Sequence, residues 1–337
     1  MLPQSVKRVL IVHQGAIGDF ILSLPAIASL REHYQKAHFE IAGFPKILSL
    51  AYGRYYADKV ISIDGKEWAM LYMERPIFSQ RLVDYLSMFD LGVIFTANPN
   101  PIFVENLKRA GLQHFLQIRT LPSNGEQIHI TDYILSSLNR IGLNASSMYP
   151  RLYLTKSDRL FAEGFLKEVG IRGDKTLIAI HPGSGGKKKV WMPERFVRLV
   201  YRLSQKLEAT FLIISGPADE CFVETLLLHI SSLDPILIKN LPLPHVASII
   251  ERCGIYIGND SGITHMAASL AVPTIAIYGP TDPEIWGPRG PHVSILASHI
   301  ACSPCSKRTL VSCDSSQCLA SIDVDLVMKK ALELLKN

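Results

Sequence analysis

The 337-residue chain carries little net charge and has no long run of charges of one sign. Lys and Arg together number 35 and Asp and Glu number 30, so the net charge is only +5. Binding of duplex nucleic acid requires a concentrated positive surface, and we therefore expect no nucleic acid partner. The sequence also lacks a fixed period, which excludes collagen, coiled-coil and simple repeat proteins. With 48% apolar residues, its composition is typical of a globular protein.

An apolar segment long enough to cross a membrane is missing as well. The stretch from Ser261 to Thr281 contains no Asp, Glu, Lys or Arg, but Pro273, Gly279 and Pro280 divide it into pieces too short to span a bilayer. The N-terminal residues resemble a signal peptide only superficially, because polar residues, Asp19 among them, interrupt the apolar region. We therefore predict a cytoplasmic protein.

Short apolar runs alternate with amphipathic stretches along the whole chain, a pattern typical of parallel sheets with crossover helices. The runs form two sets, which separate near residues 148–151. We therefore predict an α/β protein with two doubly wound domains, 1–150 and 151–337, that face each other across a cleft. Ligands of such sheets bind beyond the carboxyl ends of the strands. The predicted strands are Arg8–Val12, Phe39–Ala42, Val60–Ile63, Leu91–Thr96, His114–Ile118, Thr176–Ile180, Phe211–Ser215, Ile255–Ile257 and Thr274–Tyr278.

The first candidate site follows the first strand, in the segment from His13 to Asp19. Gly15 and Gly18 allow a tight turn into a helix, but their spacing is not that of a dinucleotide-binding loop. Two interpretations of Asp19 are open. It caps or stabilises the start of the helix, or it lies at the cleft and accepts a proton.

The second candidate site follows the strand that ends at Ile180. A loop of small residues, Gly183 to Gly186, offers unblocked backbone N–H groups for phosphate oxygens, and Lys189 adds a positive charge. The alternative is a solvated basic turn beside a buried Trp191. The density of Gly, Ser and Lys after a buried strand favours an anion-binding loop.

The third candidate site is the segment from Gly258 to His265, where a strand ends and a helix of small residues begins. A diphosphate at such a helix start gains from the partial positive charge of the open N–H groups. Capping by Asp260, with His265 satisfied locally, is the alternative. A fourth segment, Tyr278 to Pro283, is equally compatible with a ligand contact and with a simple turn.

Four of the six cysteines form a cluster, Cys302-x2-Cys305-x7-Cys313-x4-Cys318. In a cytosolic chain this spacing favours a metal over disulfides. Zinc prefers four thiolates in a tetrahedral array, so a structural zinc site is predicted. Two disulfides are the alternative.

Together and in this order, the four segments resemble glycosyltransferase family 9, the ADP-heptose:lipopolysaccharide heptosyltransferases. The most specific part is Gly258 to His265, followed by Val272-Pro273 and by Gly279 to Asp282. The resemblance implies the GT-B fold, in which two Rossmann-like domains face each other. It also implies an N-terminal acceptor-binding domain and a C-terminal nucleotide-sugar-binding domain, whose last helix could pack back on the first domain.

The same resemblance assigns roles to individual residues. Asp19 matches the catalytic base, and Lys189 matches the lysine that holds the nucleotide diphosphate. The resemblance also implies a single displacement that inverts the anomeric carbon. Such a transfer requires neither a metal nor another cofactor. The remaining donor-binding positions are Ser184 and Gly185 in the phosphate-binding turn, Ser261, Gly262 and His265 at the diphosphate-binding helix start, Asp260 near the sugar, Glu220 at the ribose and Leu241 at the base.

The implied partners are ADP-heptose and a lipid-linked saccharide acceptor, which would bring the enzyme to the cytoplasmic face of the inner membrane. The loop from Asn98 to Pro101 lacks an acidic residue that many members carry, so the acceptor is left open. Two other functions use the same phosphate-binding groups. They are a nucleotide-sugar epimerase and a non-catalytic nucleotide-sugar-binding protein.

Overall fold

The computed structural model describes residues 5–122, 126–171, 173, 175–216, 219–298 and 300–336. The chain divides into two compact units, Met1–Met148 and Tyr149–Asn337, and each contains one parallel sheet. Among the described residues, we find no helix whose length and apolarity would let it span a bilayer.

The first unit is a five-stranded sheet with the order β3-β2-β1-β4-β5. Residues Val9 to Val12 of β1 are almost fully inaccessible to solvent, as expected of a strand with neighbours on both sides and helices on both faces. The strands are β1 Arg8–His13, β2 His38–Gly43, β3 Lys59–Ser62, β4 Leu91–Thr96 and β5 Phe115–Arg119. The helices are α1 Ile17–His33, α2 Pro45–Leu48, α3 Lys66–Met70, α4 Gln80–Ser87, α5 Pro101–Arg109 and α6 Ile130–Asn139.

The second unit is a six-stranded sheet with the order β11-β10-β9-β6-β7-β8. Its strands are β6 Thr176–His181, β7 Ala209–Ser215, β8 Ile236–Lys239, β9 Ile255–Asn259, β10 Thr274–Tyr278 and β11 Val293–Ala297. Its helices are α7 Lys156–Glu168, α8 Pro193–Ser204, α9 Glu220–Ile230, α10 Leu243–Ile250, α11 Gly262–Ser269, α12 Pro283–Trp286, α13 Lys307–Ser312, α14 Gln317–Ala320 and α15 Val324–Leu334, and short 3-10 turns cover Lys187–Lys189 and Ser231–Leu233. The last helix, α15, packs against α8 and β10 of this same unit.

Each sheet has one point where the strand order reverses, between β1 and β4 in the first unit and between β6 and β9 in the second. Loops leave such a point in opposite directions and open a crevice at the carboxyl ends of the strands. His13 ends β1, His181 ends β6 and Asn259 ends β9. The fold therefore places the first three candidate segments at these two crevices.

Candidate functional site

In the second unit, Asn259 ties together the loops that follow β6 and β9. Its side-chain amide donates to the carbonyl oxygens of Pro182 and Gly183 at 2.8 and 3.3 Å, and its oxygen accepts from the Trp191 backbone N–H at 3.0 Å. The residue is fully buried. Trp191 is also fully buried, as the alternative interpretation of this segment predicted. A buried Trp191 does not exclude an anion-binding loop before it in the sequence.

Ser184 and Gly185 occupy the turn that the sequence predicted for phosphate. The Ser184 hydroxyl is buried and donates to the Asp260 carbonyl oxygen at 2.7 Å, so this side chain shapes the turn. Gly185 is exposed, and a Cβ atom there would meet no other atom within 4 Å. Gly183 is different, because a Cβ atom would collide with the Asp219 carboxylate. The close approach of loop and carboxylate requires glycine at position 183.

Lys189 and Asp260 form an ion pair beside this turn, with Nζ 2.7 Å from Oδ2. A third of the lysine side chain is exposed, whereas the aspartate is almost completely buried. The pair brings the second and third candidate segments together, although they are far apart in sequence. The ammonium group of Lys189 thus lies next to the small residues of the loop, and Asp260 balances its charge.

Helix α11 begins next to this ion pair. The Ser261 hydroxyl caps the helix by accepting from the Thr264 N–H at 3.3 Å, and Gly262 follows as the first helical residue. His265 is buried one turn further along. The open N–H groups of the first turn make this helix start suitable for a diphosphate.

A buried imidazole–carboxylate pair lies behind the turn. His181 Nε2 is 2.9 Å from Asp219 Oδ2, and His181 Nδ1 is 3.2 Å from Ser261 Oγ. Burial raises the pKa of the Asp219 carboxyl, but bonds from His181 and from the amides of Gly216 and Ser184 outweigh it, and the pKa is lowered overall. Asp219 therefore stays ionised. Sequence reasoning assigned no role to either member of this pair.

Glu220 and Leu241 lie at the same carboxyl edge of the sheet, after β7 and β8 respectively. Glu220 is exposed and forms an ion pair with Lys239 at 3.0 Å. Leu241 is partly exposed. Their predicted roles at the ribose and the base remain predictions, to be tested with bound nucleotide.

In the first unit, Asp19 lies in the first turn of α1 and is half-buried. Its Oδ2 accepts from the Ala16 N–H at 3.0 Å, so the capping interpretation holds. A Cβ atom at Gly15 would crowd Asp19 and His13, which explains the glycine. His13 is buried, and burial lowers the pKa of its imidazole from 6.5 to about 4, so the imidazole is neutral. Capping does not prevent the carboxylate from also accepting a proton.

The four clustered cysteines belong to the segment that follows β11, and all four thiols are free. The Cys305 N–H donates to the Pro280 carbonyl at 2.8 Å, which fastens the segment to the end of β10. Lys188 donates to the carbonyls of Leu310 and Val311, both at 2.8 Å. In the part of the chain that the structure describes, no group of three or more His, Cys, Asp or Glu side chains is arranged to hold a metal ion. The structural zinc stays a prediction.

Known proteins are similar to this chain in sequence and in fold. The lipooligosaccharide heptosyltransferase 2 of Campylobacter jejuni is 23% identical over 327 residues, which cover 95% of this chain and 96% of that protein. A glycosyl transferase family 9 protein from Veillonella parvula has a TM-score of 0.80 at 20% identity, covering 98% of this chain and 97% of the other. The ADP-heptose lps heptosyltransferase II of E. coli has a TM-score of 0.74 at 16% identity, covering 98% of both chains. The structural likenesses confirm the predicted GT-B fold.

The family assignment rests on a match that spans most of the chain. Residues 94–313 match the model of glycosyltransferase family 9 (heptosyltransferase). This range includes the small-residue loop, Lys189, Asp260 and the start of α11, which carried most of the resemblance, but it begins after the first candidate segment and Asp19. The epimerase alternative is not favoured, because both the family model and the relative from C. jejuni are named as heptosyltransferases. The chain therefore belongs to glycosyltransferase family 9, the heptosyltransferase family.

Proposed function

We propose that this enzyme transfers a heptose from ADP-heptose to a lipid-linked saccharide of the lipopolysaccharide core, with inversion at the anomeric carbon. The observation that carries the proposal is the Lys189–Asp260 ion pair at the start of α11, in a chain of the heptosyltransferase family. The names of the relatives in C. jejuni and E. coli support the choice of donor and acceptor.

The second unit supplies the donor-binding groups in this proposal. Lys189 and the N–H groups at the Ser261 end of α11 neutralise the diphosphate that leaves. Asp260 contacts the sugar, Ser184 and Gly185 shape the phosphate turn, and Gly262 and His265 complete the helix start. Glu220 holds the ribose and Leu241 lines the base. Since these groups supply the positive charge, the transfer does not require a catalytic metal.

The first unit supplies the base in this proposal. Asp19 accepts the proton of the acceptor hydroxyl, whose oxygen attacks the anomeric carbon as the bond to the diphosphate breaks. General base catalysis of this kind contributes roughly a factor of 10² to 10⁴ in rate. Gly15 leaves room for the Asp19 side chain, and the nearby His13 is neutral, so it does not neutralise the carboxylate.

A lipid-linked acceptor would bring the enzyme to the cytoplasmic face of the inner membrane as a peripheral protein. Two features of the chain support this part of the proposal. The net charge of +5 favours anionic lipid. The first unit also exposes large apolar side chains close together in sequence, namely Tyr72, Met73 and Ile77.

The donor is tested with a thermal-shift panel of ADP, UDP, GDP and CDP. A nucleotide at a hundred times its Kd stabilises the protein by about 2.7 kcal/mol, and we expect the largest shift with ADP. Transfer is then measured with ADP-heptose and heptose-free lipopolysaccharide, with and without a metal chelator. We expect heptosylated product and ADP in both cases. An isomerised donor without acceptor would show an epimerase, and binding without turnover would show a binding protein.

A further inference from the structure

A chain of buried hydrogen bonds connects three loops of the second unit through His181. Asp219 follows β7, His181 ends β6 and Ser261 follows β9, and the three side chains are almost inaccessible to solvent. The distances are 2.9 Å from His181 Nε2 to Asp219 and 3.2 Å from His181 Nδ1 to Ser261. The transfer chemistry proposed above assigns no part to Asp219 or His181.

The ionised Asp219 fixes the direction of its hydrogen bond with His181, and the bond to Ser261 then depends on whether His181 is neutral or protonated. An ionised carboxylate only accepts hydrogen bonds, so Nε2 of His181 carries a hydrogen and donates it to Asp219. In a neutral imidazole the other nitrogen then has no hydrogen. In that neutral state the Ser261 hydroxyl donates to Nδ1, and its hydrogen points into the protein.

Thr264 offers the Ser261 hydroxyl a second acceptor, with the two oxygens 3.1 Å apart. Thr264 donates its own hydrogen to the Asn259 carbonyl at 2.5 Å and lies 3.0 Å from the Tyr256 hydroxyl. Burial raises the pKa of Tyr256, which therefore stays a neutral donor. Since an imidazole nitrogen is more basic than a hydroxyl oxygen, Nδ1 holds the Ser261 hydrogen when His181 is neutral.

We propose that His181 is a positioning residue whose protonation turns the Ser261 hydroxyl toward the diphosphate of the donor. This rests on the proposed function, which puts the diphosphate at the start of α11. Negative charge near an imidazole favours its charged form. A proton from solvent adds to Nδ1, the new N–H donates to Ser261 Oγ, and the released hydroxyl hydrogen turns to a phosphate oxygen, a stronger acceptor than Thr264. Asp219 remains the counter-charge.

Other ionisable groups lie near the hydrogen bonds of His181. Lys189 is paired with Asp260, and Glu220, next to Asp219, is paired with Lys239. Further ionisable groups nearby are Tyr256 on β9, Tyr278 on β10 and His265 on α11, and all three are buried. The test therefore needs variants that change only His181 or only Ser261 and leave these neighbours in place.

The test is calorimetry with ADP in buffers of different ionisation enthalpy, between about pH 6 and about pH 8.5. This measures the protons taken up for each ADP bound. We expect the parent protein to take up more protons than His181→Gln, by a difference of up to about one, and to bind ADP roughly tenfold more tightly. Ser261→Ala keeps the imidazole–carboxylate pair. It should also lose the extra proton uptake and the tighter binding of ADP. The exposed His229→Gln serves as the matched control and should behave like the parent.

The outcomes separate this inference from the function on which it rests. Equal proton uptake in the parent, His181→Gln and Ser261→Ala proteins would overturn the role of His181, even if the affinities differ. A parent protein that does not bind ADP would contradict the proposed function and remove this inference with it. If His181→Gln does not fold, Ser261→Ala carries the same comparison.

Discussion

Lys189 Nζ lies 2.7 Å from the carboxylate of Asp260, at the turn where the diphosphate is expected. The lysine is partly exposed and the aspartate is buried. The ion pair restricts the lysine side chain at the turn, and a restricted side chain loses less conformational entropy when it binds a ligand. A diphosphate would share the lysine with Asp260 and would need the helix start of α11 to balance the remaining charge.

Lys189→Ala should weaken ADP binding by about 1.5–3 kcal/mol, because a charge-assisted hydrogen bond is lost. The unpaired carboxylate of Asp260 would add repulsion. Calorimetry on the variant and the parent measures the difference. Lys187→Ala is the matched control, because Lys187 has the same charge in the same turn but is exposed. Equal losses of ADP affinity in the two variants would show that Lys189 acts only as a general surface charge.

Gly183→Ala should destabilise the second unit by about 1–3 kcal/mol and weaken ADP binding, because the new methyl group collides with the Asp219 carboxylate. Gly185→Ala should leave the unfolding free energy nearly unchanged, since its Cβ atom meets nothing within 4 Å. Urea unfolding of the two variants gives the comparison. Similar stabilities would mean that the loop relaxes and that Asp219 does not fix it.

Acidification should destabilise the first unit through His13. Burial lowers the pKa of this histidine from its ordinary value of 6.5, which applies to the unfolded chain, to about 4 in the folded protein. Between these values the unfolded chain binds a proton that the folded chain does not, so stability falls as the pH falls from about 6.5 to about 4. The full effect is about 3 kcal/mol. Urea unfolding at several pH values should show a weaker slope in His13→Gln. If His13→Gln has the same slope as the parent and as the exposed control His33→Gln, other groups cause the pH dependence.

The cysteine spacing predicts about one zinc per chain. Elemental analysis of protein purified without added metal measures it, and iron in the same assay would indicate a different metal at a thiolate site. Replacing Cys302 and Cys305 with serine should remove the metal. The exposed Cys221 is the control, because it lies outside the cluster. Metal-free protein with four reactive thiols in the cluster would contradict the prediction.

The interior strands were predictable because strands covered on both faces are continuous apolar runs. All nine predicted strands are present, with small shifts at their ends. The sequence prediction missed β8 and β11, which lie at the two edges of the second sheet. β8 has only four residues and ends on Lys239, and Ser294 interrupts the apolar pattern of β11. A pattern of alternating burial cannot be read from four or five residues.

The positions of Lys189, Ser261 and Asp19 after strand ends were predictable, because each lies in a single segment that follows an apolar run. Contacts between side chains of loops that are distant in sequence were not predictable. Nothing in the sequence distinguishes Asp219 from its neighbour Glu220, yet Asp219 turns inward to His181 and Glu220 pairs with Lys239 at the surface. That choice depends on the parallel register of β6 and β7, which brings residues 38 positions apart into contact.

Asp19→Asn tests the central claim most directly, with heptose transfer and ADP affinity measured on the same preparation. The amide oxygen can still accept from the Ala16 N–H, so the cap at 3.0 Å is retained and the melting temperature should barely change. The amide cannot take a proton from the acceptor hydroxyl at neutral pH. We predict unchanged ADP affinity and a turnover number lower by roughly two to four orders of magnitude. Turnover close to that of the parent would contradict the assignment of Asp19 as the base and the mechanism that depends on it.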